Sequence, residues 1–344
     1  MHWEKYSSVR QLPSNIWSKV AGNNPCLSPE FMSVIEETHD TDTFRYWVCY
    51  EKEQIVGVFF YCIRDLINFP RRIRKVLPSI AILMTGTYET YGKHYWFDES
   101  YFTEQKFLEI IISIICKEKS MIYVVRDFVE EQHRVMDVFL AKNYFHISPY
   151  STSWLYISTE ITNLREYLYS LCKKHRNMYL KFIRQRQMQG VKFDYIDDYV
   201  SIIPSIYHLY LNVNNNAKEF KTTPFSINFF EKLKDIYKGN CFLIVMKVND
   251  SFAGFVLLIQ GENEIVPFLM GIDYSYRDEH VWHNLVLECI SYAIDIGKEK
   301  IDLGLTNFSL KKRLGASKFG IHMYAKFRNP VLNRILGKYI YKLI

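Results

Sequence analysis

An internal repeat constrains the fold of this chain more than any other feature of its sequence. Residues 48–61 and 245–258 each contain an apolar run, a polar turn and a second apolar run, with Gly57 or Gly254 at the matching place. Two β-rich runs joined by a short polar turn are typical of a β-hairpin. A pattern that recurs far along one chain predicts a duplicated structural unit.

The segments around the two hairpins follow the same order. Helices are predicted to begin after Ser28, which lies 29 residues before Gly57, and after Ser226, which lies 28 residues before Gly254. Downstream of each hairpin the pattern predicts a helix, a strand, a short helix and a last strand. The predicted downstream helices and strands lie at 104–119 and 121–125, and at 281–296 and 300–303.

The parallel order predicts two domains that are copies of one α/β unit. The first copy covers residues 1–160 and the second covers 161–344. A basic helix at about 165–190 opens the second copy, and an amphipathic tail closes it. A length of 344 residues agrees with two domains.

Composition excludes several other classes of protein. The chain is 49% hydrophobic and 16% aromatic with 14 Gly and 10 Pro, which excludes disordered and collagen-like chains. Seven cysteines without a CxxC pair predict buried thiols in a reducing compartment. The N-terminus does not resemble a signal peptide, and the longest apolar runs are about half of the ~20 residues that a spanning helix needs. We therefore expect a cytoplasmic protein without a transmembrane segment.

Three motifs carry a resemblance to a known family. Residues 24–31 read Asn-Pro-Cys-Leu-Ser-Pro-Glu-Phe, residues 173–191 form a basic stretch that ends in Gly-Val, and residues 304–316 contain Gly304, Thr306 and Lys311 before Gly315. With the order of helices and strands, they resemble the tandem GNAT-like acyltransferases related to the Fem-like aminoacyltransferases of peptidoglycan biosynthesis and recognition. The resemblance implies an α/β fold (α+β mixed sheet) with two tandem GNAT-like acyltransferase domains.

The same resemblance implies an acyltransferase that forms an amide. Its donor is an acyl-CoA, an acyl-carrier protein or an aminoacyl-tRNA, and its acceptor is a small-molecule or cell-wall-precursor amine. No tightly bound cofactor is implied, since coenzyme A or a carrier-bound acyl thioester acts as co-substrate. In Fem-like enzymes a lysine four residues before the C-terminal glycine lies in the catalytic cleft, and Lys311 matches it. Thr306 of the same motif is assigned to the substrate cleft.

The segment Arg277–Trp282 departs from ordinary GNAT domains. Those domains hold the coenzyme A pyrophosphate with a glycine-rich loop at a helix N-terminus, where backbone N–H groups and the helix dipole favour the anion. Here Arg277 is kept, but His280 and Trp282 stand at the glycine positions. Fem-like proteins share this departure, which favours tRNA or carrier-bound donors without excluding coenzyme A.

The basic stretch before the second hairpin is a candidate phosphate-binding surface. No acid occurs from Tyr167 to Val191, and the net charge of the whole chain is +6. We assign Lys173, Arg176 and Arg184, together with Arg277, to donor phosphates. The alternative is a solvated helix face, since charge runs usually keep a surface soluble. The corresponding alternative function is a non-catalytic tRNA-binding, nucleic-acid-binding or scaffold protein on the same fold. A second basic cluster lies at 71–75, and we interpret it as a solvated loop.

Asp302 and His283 complete the candidate site residues. Asp302 lies near the end of the predicted strand 300–303, where a carboxylate can accept the proton of an incoming amine; the alternative is a surface acid at a strand edge. His283 lies three residues after His280 on one predicted helical face, and a metal pair there would need a third ligand that the nearby sequence does not offer. We assign His283 to the substrate cleft, where it can position the amine; the alternative is a capped, partly exposed helix start. No GxSxG, P-loop or Rossmann pattern occurs. Aminolysis of an activated acyl group needs alignment, proton removal and oxyanion stabilisation, so Lys311 and Asp302 are the catalytic candidates.

The C-terminal tail is amphipathic and basic. Its apolar residues are Leu332, Ile335, Leu336, Tyr339 and Ile340. We expect the tail to pack back on a domain. The alternative is that it touches a lipid surface, which would place the protein at the periphery of the membrane.

Overall fold

The computed structural model describes residues 1–39, 41–65, 81–129, 133–217, 223–305 and 307–342. The chain forms two compact units. Unit 1 comprises Met1–Tyr150 and Gly320–Ile344, and unit 2 comprises Ser151–Phe319. These units are defined by their compactness and differ from the predicted copies 1–160 and 161–344, which are defined by sequence repetition. The boundary at residue 160 stays a prediction. The basic cluster 71–75 lies outside the described residues.

Unit 1 begins with a strand and two helices that precede the first hairpin. Its elements up to residue 156 are β1 His2–Tyr6, α1 Ser14–Ala21, α2 Pro29–Thr38, β2 Thr43–Glu51, β3 Gln54–Asp65, β4 Ala81–Thr85, β5 Tyr95–Phe97, α3 Glu104–Ile115, β6 Ile122–Val129, α4 His133–Ala141 and β7 Phe145–Tyr156. The predicted hairpin is β2–β3. The predicted helix start is also confirmed, because Ser28 Oγ accepts a hydrogen bond from the Phe31 N–H at 3.2 Å.

Unit 2 repeats this order after a pair of helices. The elements from here to the end of the chain are α5 Leu164–Ser170, α6 Lys173–Met188, β8 Val191–Ile196, α7 Ile203–Asn216, α8 Ile227–Ile236, β9 Cys241–Val248, β10 Ser251–Gln260, β11 Glu264–Ile272, α9 Val281–Asp295, β12 Lys300–Asp302, α10 Phe308–Arg313, β13 Ser317–Phe327 and α11 Pro330–Leu336. Of these, α11 and most of β13 belong to unit 1. The chain leaves unit 1 within β7 and returns to it within β13.

The prediction of one basic helix at about 165–190 was wrong. The stretch forms α5 and α6, because Leu171 and Cys172 adopt extended backbone between them. The partly buried side chain of Leu171 packs against the apolar core of unit 2 from this break between the two helices.

Each unit contains a mixed sheet. In unit 1 the strand order is β1–β2–β3–β4–β6, followed by the part of β13 that belongs to this unit, with β5 beside β3. In unit 2 the last part of β7 is followed by β12, β11, β10, β9 and β8. β4 runs parallel to β6, and β11 runs parallel to β12, whereas the other described pairs are antiparallel.

The repeated glycines have the same packing role in both units. A Cβ at Gly57 would lie 2.5 Å from the ring of Phe107 in α3, and a Cβ at Gly254 would lie 2.5 Å from a methyl of Val281 in α9. Each glycine therefore allows the following helix to lie directly on the hairpin. This contact explains why the repeat keeps glycine at that place.

Among the described residues, no helix is both long and apolar enough to cross a bilayer. All seven cysteines are free thiols, and Cys26, Cys49, Cys62, Cys241 and Cys289 are buried. Helices and a mixed sheet in the same order in both units confirm the predicted α/β class.

Candidate active site

The strands β11 and β12 separate at the end of a short pairing. They pair at Glu264–Lys300 and Ile265–Ile301, after which β11 continues to Ile272 while β12 ends at Asp302. The pairing therefore ends towards the carboxyl ends of two parallel strands. Open α/β sheets commonly bind ligands at such ends.

A β-bulge in β11 lies beyond its last pair with β12. β10 pairs Leu257 with Leu269 but Leu258 with Pro267, so the register shifts by one residue at this point of the ladder. A bulge leaves one residue outside regular pairing and redirects its backbone groups. The side chains of residues 267–270 are partly exposed, although the neighbouring strand residues are buried.

Asp302 is a buried carboxyl group at the end of β12. Its side chain is 5% exposed, and its Oδ2 accepts a hydrogen bond from Trp154 Nε1 at 3.0 Å. Its Oδ1 accepts the Gly304 N–H at 2.9 Å and the Thr152 hydroxyl at 3.4 Å. Burial raises the pKa of Asp302 to about 7, although the Gly304 N–H and the charge of Lys311 oppose the rise. The alternative reading of Asp302 as a surface acid was wrong.

Lys311 and Asp302 both form hydrogen bonds with the backbone of the turn that follows β12. Its side chain is 6% exposed, and its Nζ donates to the carbonyl oxygens of Gly304 at 3.0 Å and Leu305 at 3.3 Å. Gly304 adopts a φ of +71°, which a glycine reaches without strain. Gly304 therefore donates its N–H to Asp302 and accepts from Lys311, which joins the two predicted catalytic residues. Thr306 lies outside the described residues.

His283 lies in an aromatic cluster at the start of α9. Its ring centroid is 5.2 Å from Phe182 and 5.8 Å from Tyr179, both of which belong to α6. Burial, assisted by the charges of nearby His280 and Arg313, lowers the pKa of His283 to about 4. The imidazole is therefore neutral at physiological pH. The buried Nδ1 of His283 and hydroxyl of Tyr179 have no hydrogen-bond partner among the described residues.

The first turn of α9 differs from an open phosphate-binding turn. His280 caps the helix in the left-handed conformation with a φ of +50°, and its ring centroid lies 3.9 Å from that of Phe182. The aromatic contact covers one side of this helix start. The His280 and His283 centroids are 6.4 Å apart, and within the described ranges no set of three His, Cys, Asp or Glu residues is arranged to hold a metal.

The predicted phosphate-binding residues are spread over the surface of unit 2. Lys173, Arg184 and Arg277 are exposed, and the described ion pairs engage none of these three. Arg176 is half-buried, with its guanidinium 5.0 Å from the ring centroid of Tyr169. The structure brings Asp302 and Lys311 together, but it shows no direct contact of the four basic residues with them.

The nearest partners of Asp302 could not be predicted from local sequence. Trp154 and Thr152 come from β7, about 150 residues earlier, and no motif marks them. The bulge had one usable signal, since Pro267 within a strand indicates an edge or a bulge. Tyr179 had no signal beyond its place in an apolar stripe of α6.

The corresponding strands of unit 1 end differently. β4 pairs with β6 at Ile82–Ile122, Leu83–Tyr123 and Met84–Val124. Beyond these pairs, the guanidinium of Arg126 donates to the backbone carbonyls of Thr87 and Thr90. The space after the paired strands of unit 1 is therefore crossed by an arginine.

A buried histidine–aspartate pair supports this arrangement in unit 1. His94 Nε2 lies 2.6 Å from Asp127 Oδ2, and the Gly92 N–H donates to the same oxygen at 3.1 Å. Burial lowers the pKa of His94 more than Asp127 raises it. Burial opposes the charged form of Asp127, but Arg126 and His94 outweigh it, so the pKa of Asp127 lies below its ordinary value.

Comparisons with known proteins agree with this architecture. Residues 173–312 match the model of a family described as acetyltransferase (GNAT) domain. The structure of FemX aligns with a TM-score of 0.62 and 13% identity over 100% of both chains. A tandem GNAT protein from the clavulanic acid biosynthesis pathway aligns with a TM-score of 0.56 and 9% identity over 96% of this chain and 99% of the other. These likenesses show the fold and confirm the resemblance to tandem GNAT-like, Fem-related proteins.

A curated relative covers a smaller region. A Mycobacterium tuberculosis protein named "Putative 8-amino-7-oxononanoate synthase 2" is 24% identical over 157 residues, which are 44% of this chain and 20% of the relative. The aligned part therefore spans about a fifth of the length of that relative.

Proposed function

We propose that this chain is an N-acyltransferase whose reacting groups lie in unit 2, at the end of β12. The GNAT family match over residues 173–312 supports acyl transfer as the class of reaction. The observation that carries the proposal is the buried carboxyl of Asp302, with a pKa of about 7, beside Lys311 at the point where β11 and β12 separate.

Asp302 acts as the general base. An amine acceptor reaches the site mainly as an ammonium ion and must lose a proton before its nitrogen can attack. A carboxyl group with a pKa of about 7 accepts that proton better at neutral pH than one at its ordinary value of 3.8. The neutral amine nitrogen then bonds to the acyl carbon to give a tetrahedral intermediate. As the bond from that carbon to the donor sulfur or oxygen breaks, the nitrogen loses a second proton, which the leaving group takes up.

Lys311 stabilises the negative charge of the intermediate. Lys311 Nζ is fixed by the carbonyls of Gly304 and Leu305, so its charge is held in place before the substrate arrives. A preorganised charge in a site with little water contributes more than the same charge in solution. No covalent enzyme intermediate is required.

The donor carries phosphates that the basic face of unit 2 attracts. Lys173, Arg176, Arg184 and Arg277 are the proposed contacts, each with part of its side chain open to solvent. The covered start of α9 favours an aminoacyl-tRNA or a carrier-bound thioester over coenzyme A held by its pyrophosphate at this turn. The acceptor is a small-molecule or cell-wall-precursor amine, and we place the reaction in the cytoplasm because these donors are made there.

A substrate screen with matched lysine variants tests the proposal. Acyl-CoAs, a charged acyl-carrier protein and aminoacyl-tRNAs are incubated with a panel of amines, and amide products are detected by mass spectrometry. Lys311→Met keeps the aliphatic stem but removes the charge, so we expect transfer to fall by roughly 100-fold or more. Lys312→Met removes a charge from the exposed neighbour and serves as the control.

The two variants and the screen give distinct outcomes. Product formation that depends on Lys311 and not on Lys312 supports the mechanism. Equal activity of Lys311→Met and the wild type would remove Lys311 from it. Salt-sensitive binding of tRNA without product from any donor would instead favour the non-catalytic nucleic-acid-binding alternative.

A further inference from the structure

The C-terminal segment of unit 1 exposes apolar side chains to solvent. We define the tail surface as residues 328–342, which contain α11 and the helical turn that follows it. Val331 is 64% exposed and Ile335 is 60% exposed. The other large apolar residues exposed on the tail surface are Leu332, Leu336, Tyr339 and Tyr341. Such a concentration within one short segment is unusual for a surface that faces only water.

The opposite side of the tail is fixed to unit 1. Asn333 Nδ2 donates to the Asn143 carbonyl, and Asn333 Oδ1 accepts the Phe327 N–H, each at 2.9 Å. Ile340 is 1% exposed, and a Cβ on Gly337 would lie 1.9 Å from the ring of Phe145. The exposed side chains therefore form a face with a defined orientation. The expectation that the tail packs back on a domain holds for one side of it.

The segment that carries this apolar face also carries positive charge. Arg328, Arg334 and Lys338 are exposed on the same segment. No Asp or Glu occurs after Asp302, whereas nine Lys and Arg residues follow it. Apolar residues flanked by cations, without acids, complement an apolar layer covered by anionic headgroups.

We propose that the tail surface binds the surface of membranes that contain anionic phospholipids. Val331 and Ile335 enter the boundary between headgroups and acyl chains, and Arg334 and Lys338 pair with lipid phosphates. The contact is peripheral and reversible, because the apolar face is short. This binding is independent of the acyl transfer proposed for unit 2.

Vesicle sedimentation with the full chain tests the proposal. The vesicles contain phosphatidylcholine alone or phosphatidylcholine with phosphatidylglycerol. We expect binding to the second kind, and its loss at high salt because salt screens exposed charges. Val331→Ser with Ile335→Ser should lower the partition coefficient by roughly tenfold. The control is Val200→Ser with Ile227→Ser, which changes the same residue types where each is 40% exposed in unit 2.

Each outcome decides for or against the membrane contact. Binding that needs phosphatidylglycerol and Val331 with Ile335, but not Val200 with Ile227, supports it. Equal binding by both double variants, or no binding to anionic vesicles at low salt, would overturn it. Analytical ultracentrifugation tests a third outcome, in which the tail surface joins two copies of the chain. A wild-type dimer that becomes a monomer when Val331 and Ile335 are substituted, with no binding to lipid, would show this and would overturn the membrane contact.

Discussion

Substitution of Asp302 by asparagine tests directly whether this carboxyl titrates near neutral pH. Folding raises its pKa from 3.8 to about 7, because the side chain is 5% exposed and its charged form loses solvation. A native state that binds the proton more tightly than the unfolded state is favoured at low pH. The contribution of Asp302 to stability is therefore fully present below pH 3.8 and is lost as the pH rises through about 7.

The size of the effect follows from the pKa difference. Each unit of pKa corresponds to ~1.4 kcal/mol, so a shift from 3.8 to about 7 corresponds to ~4 kcal/mol of unfolding free energy. Asparagine keeps the acceptor for the Gly304 N–H but carries no charge at any pH. The difference in stability between Asp302→Asn and the wild type should therefore move in favour of the variant by ~1.4 kcal/mol per pH unit across this range and level off above pH ~7.

Urea unfolding of both proteins at a series of pH values measures this difference. Circular dichroism reports the unfolding, and the fluorescence of Trp154, whose indole N–H donates to Asp302, reports on the site. Thr152→Val is the control, because it removes a hydroxyl contact with Asp302 without removing the titrating group. A difference between wild type and Asp302→Asn that stays constant from pH ~5 to ~8 would show that Asp302 keeps its ordinary pKa, and the proposed general base would then be wrong.

Three further substitutions test the packing and charge described above. Gly86→Ala should destabilise unit 1 by several kcal/mol more than Gly22→Ala in urea unfolding. Both glycines have positive φ, but a Cβ at Gly86 would lie 2.3 Å from the His94 ring, whereas a Cβ at Gly22 would enter open space. Equal losses of stability in the two variants would contradict this packing. Asp127→Asn should lower stability at neutral pH by ~3 kcal/mol and make unit 1 less sensitive to acid. The wild-type pKa values of Asp127 and His94 are both lowered, so stability is lost as pH falls, and an unchanged pH dependence in the variant would refute the assignment. Tyr179→Phe should leave the stability in thermal unfolding unchanged or raise it by ~1 kcal/mol, because it removes a buried hydroxyl that has no hydrogen-bond partner among the described residues. A clear loss of stability would show that this hydroxyl forms a hydrogen bond in the folded protein.

Much of the fold was predictable because its signals are local. The hairpins depend on apolar runs and on the turn residues between them, and the start of α2 depends on Ser28 as its cap. The repeated glycines pointed to duplication, and the structure adds that Gly57 and Gly254 admit the helix that follows each hairpin. One local signal led to a wrong prediction, namely a single basic helix. A basic run along the chain does not show that Leu171 ends α5 and packs against the core before α6 begins.

The candidate site was predictable in residue type but not in chemical state. Lys311 and Asp302 were selected from a motif and a strand end, and both prove to be buried around Gly304. Trp154 and Thr152, which surround the carboxyl, come from another part of the chain and carry no motif.

The sequence by itself determined the duplicated order of helices and strands, the residues at the end of β12 and the basic, amphipathic character of the tail. These properties depend on neighbours along the chain. The tertiary structure decided that Asp302 is buried with a pKa of about 7, that β11 and β12 separate after a short pairing, and that Val331 and Ile335 face solvent. Desolvation, strand separation and exposure arise from contacts between distant segments, so the order of residues alone does not specify them.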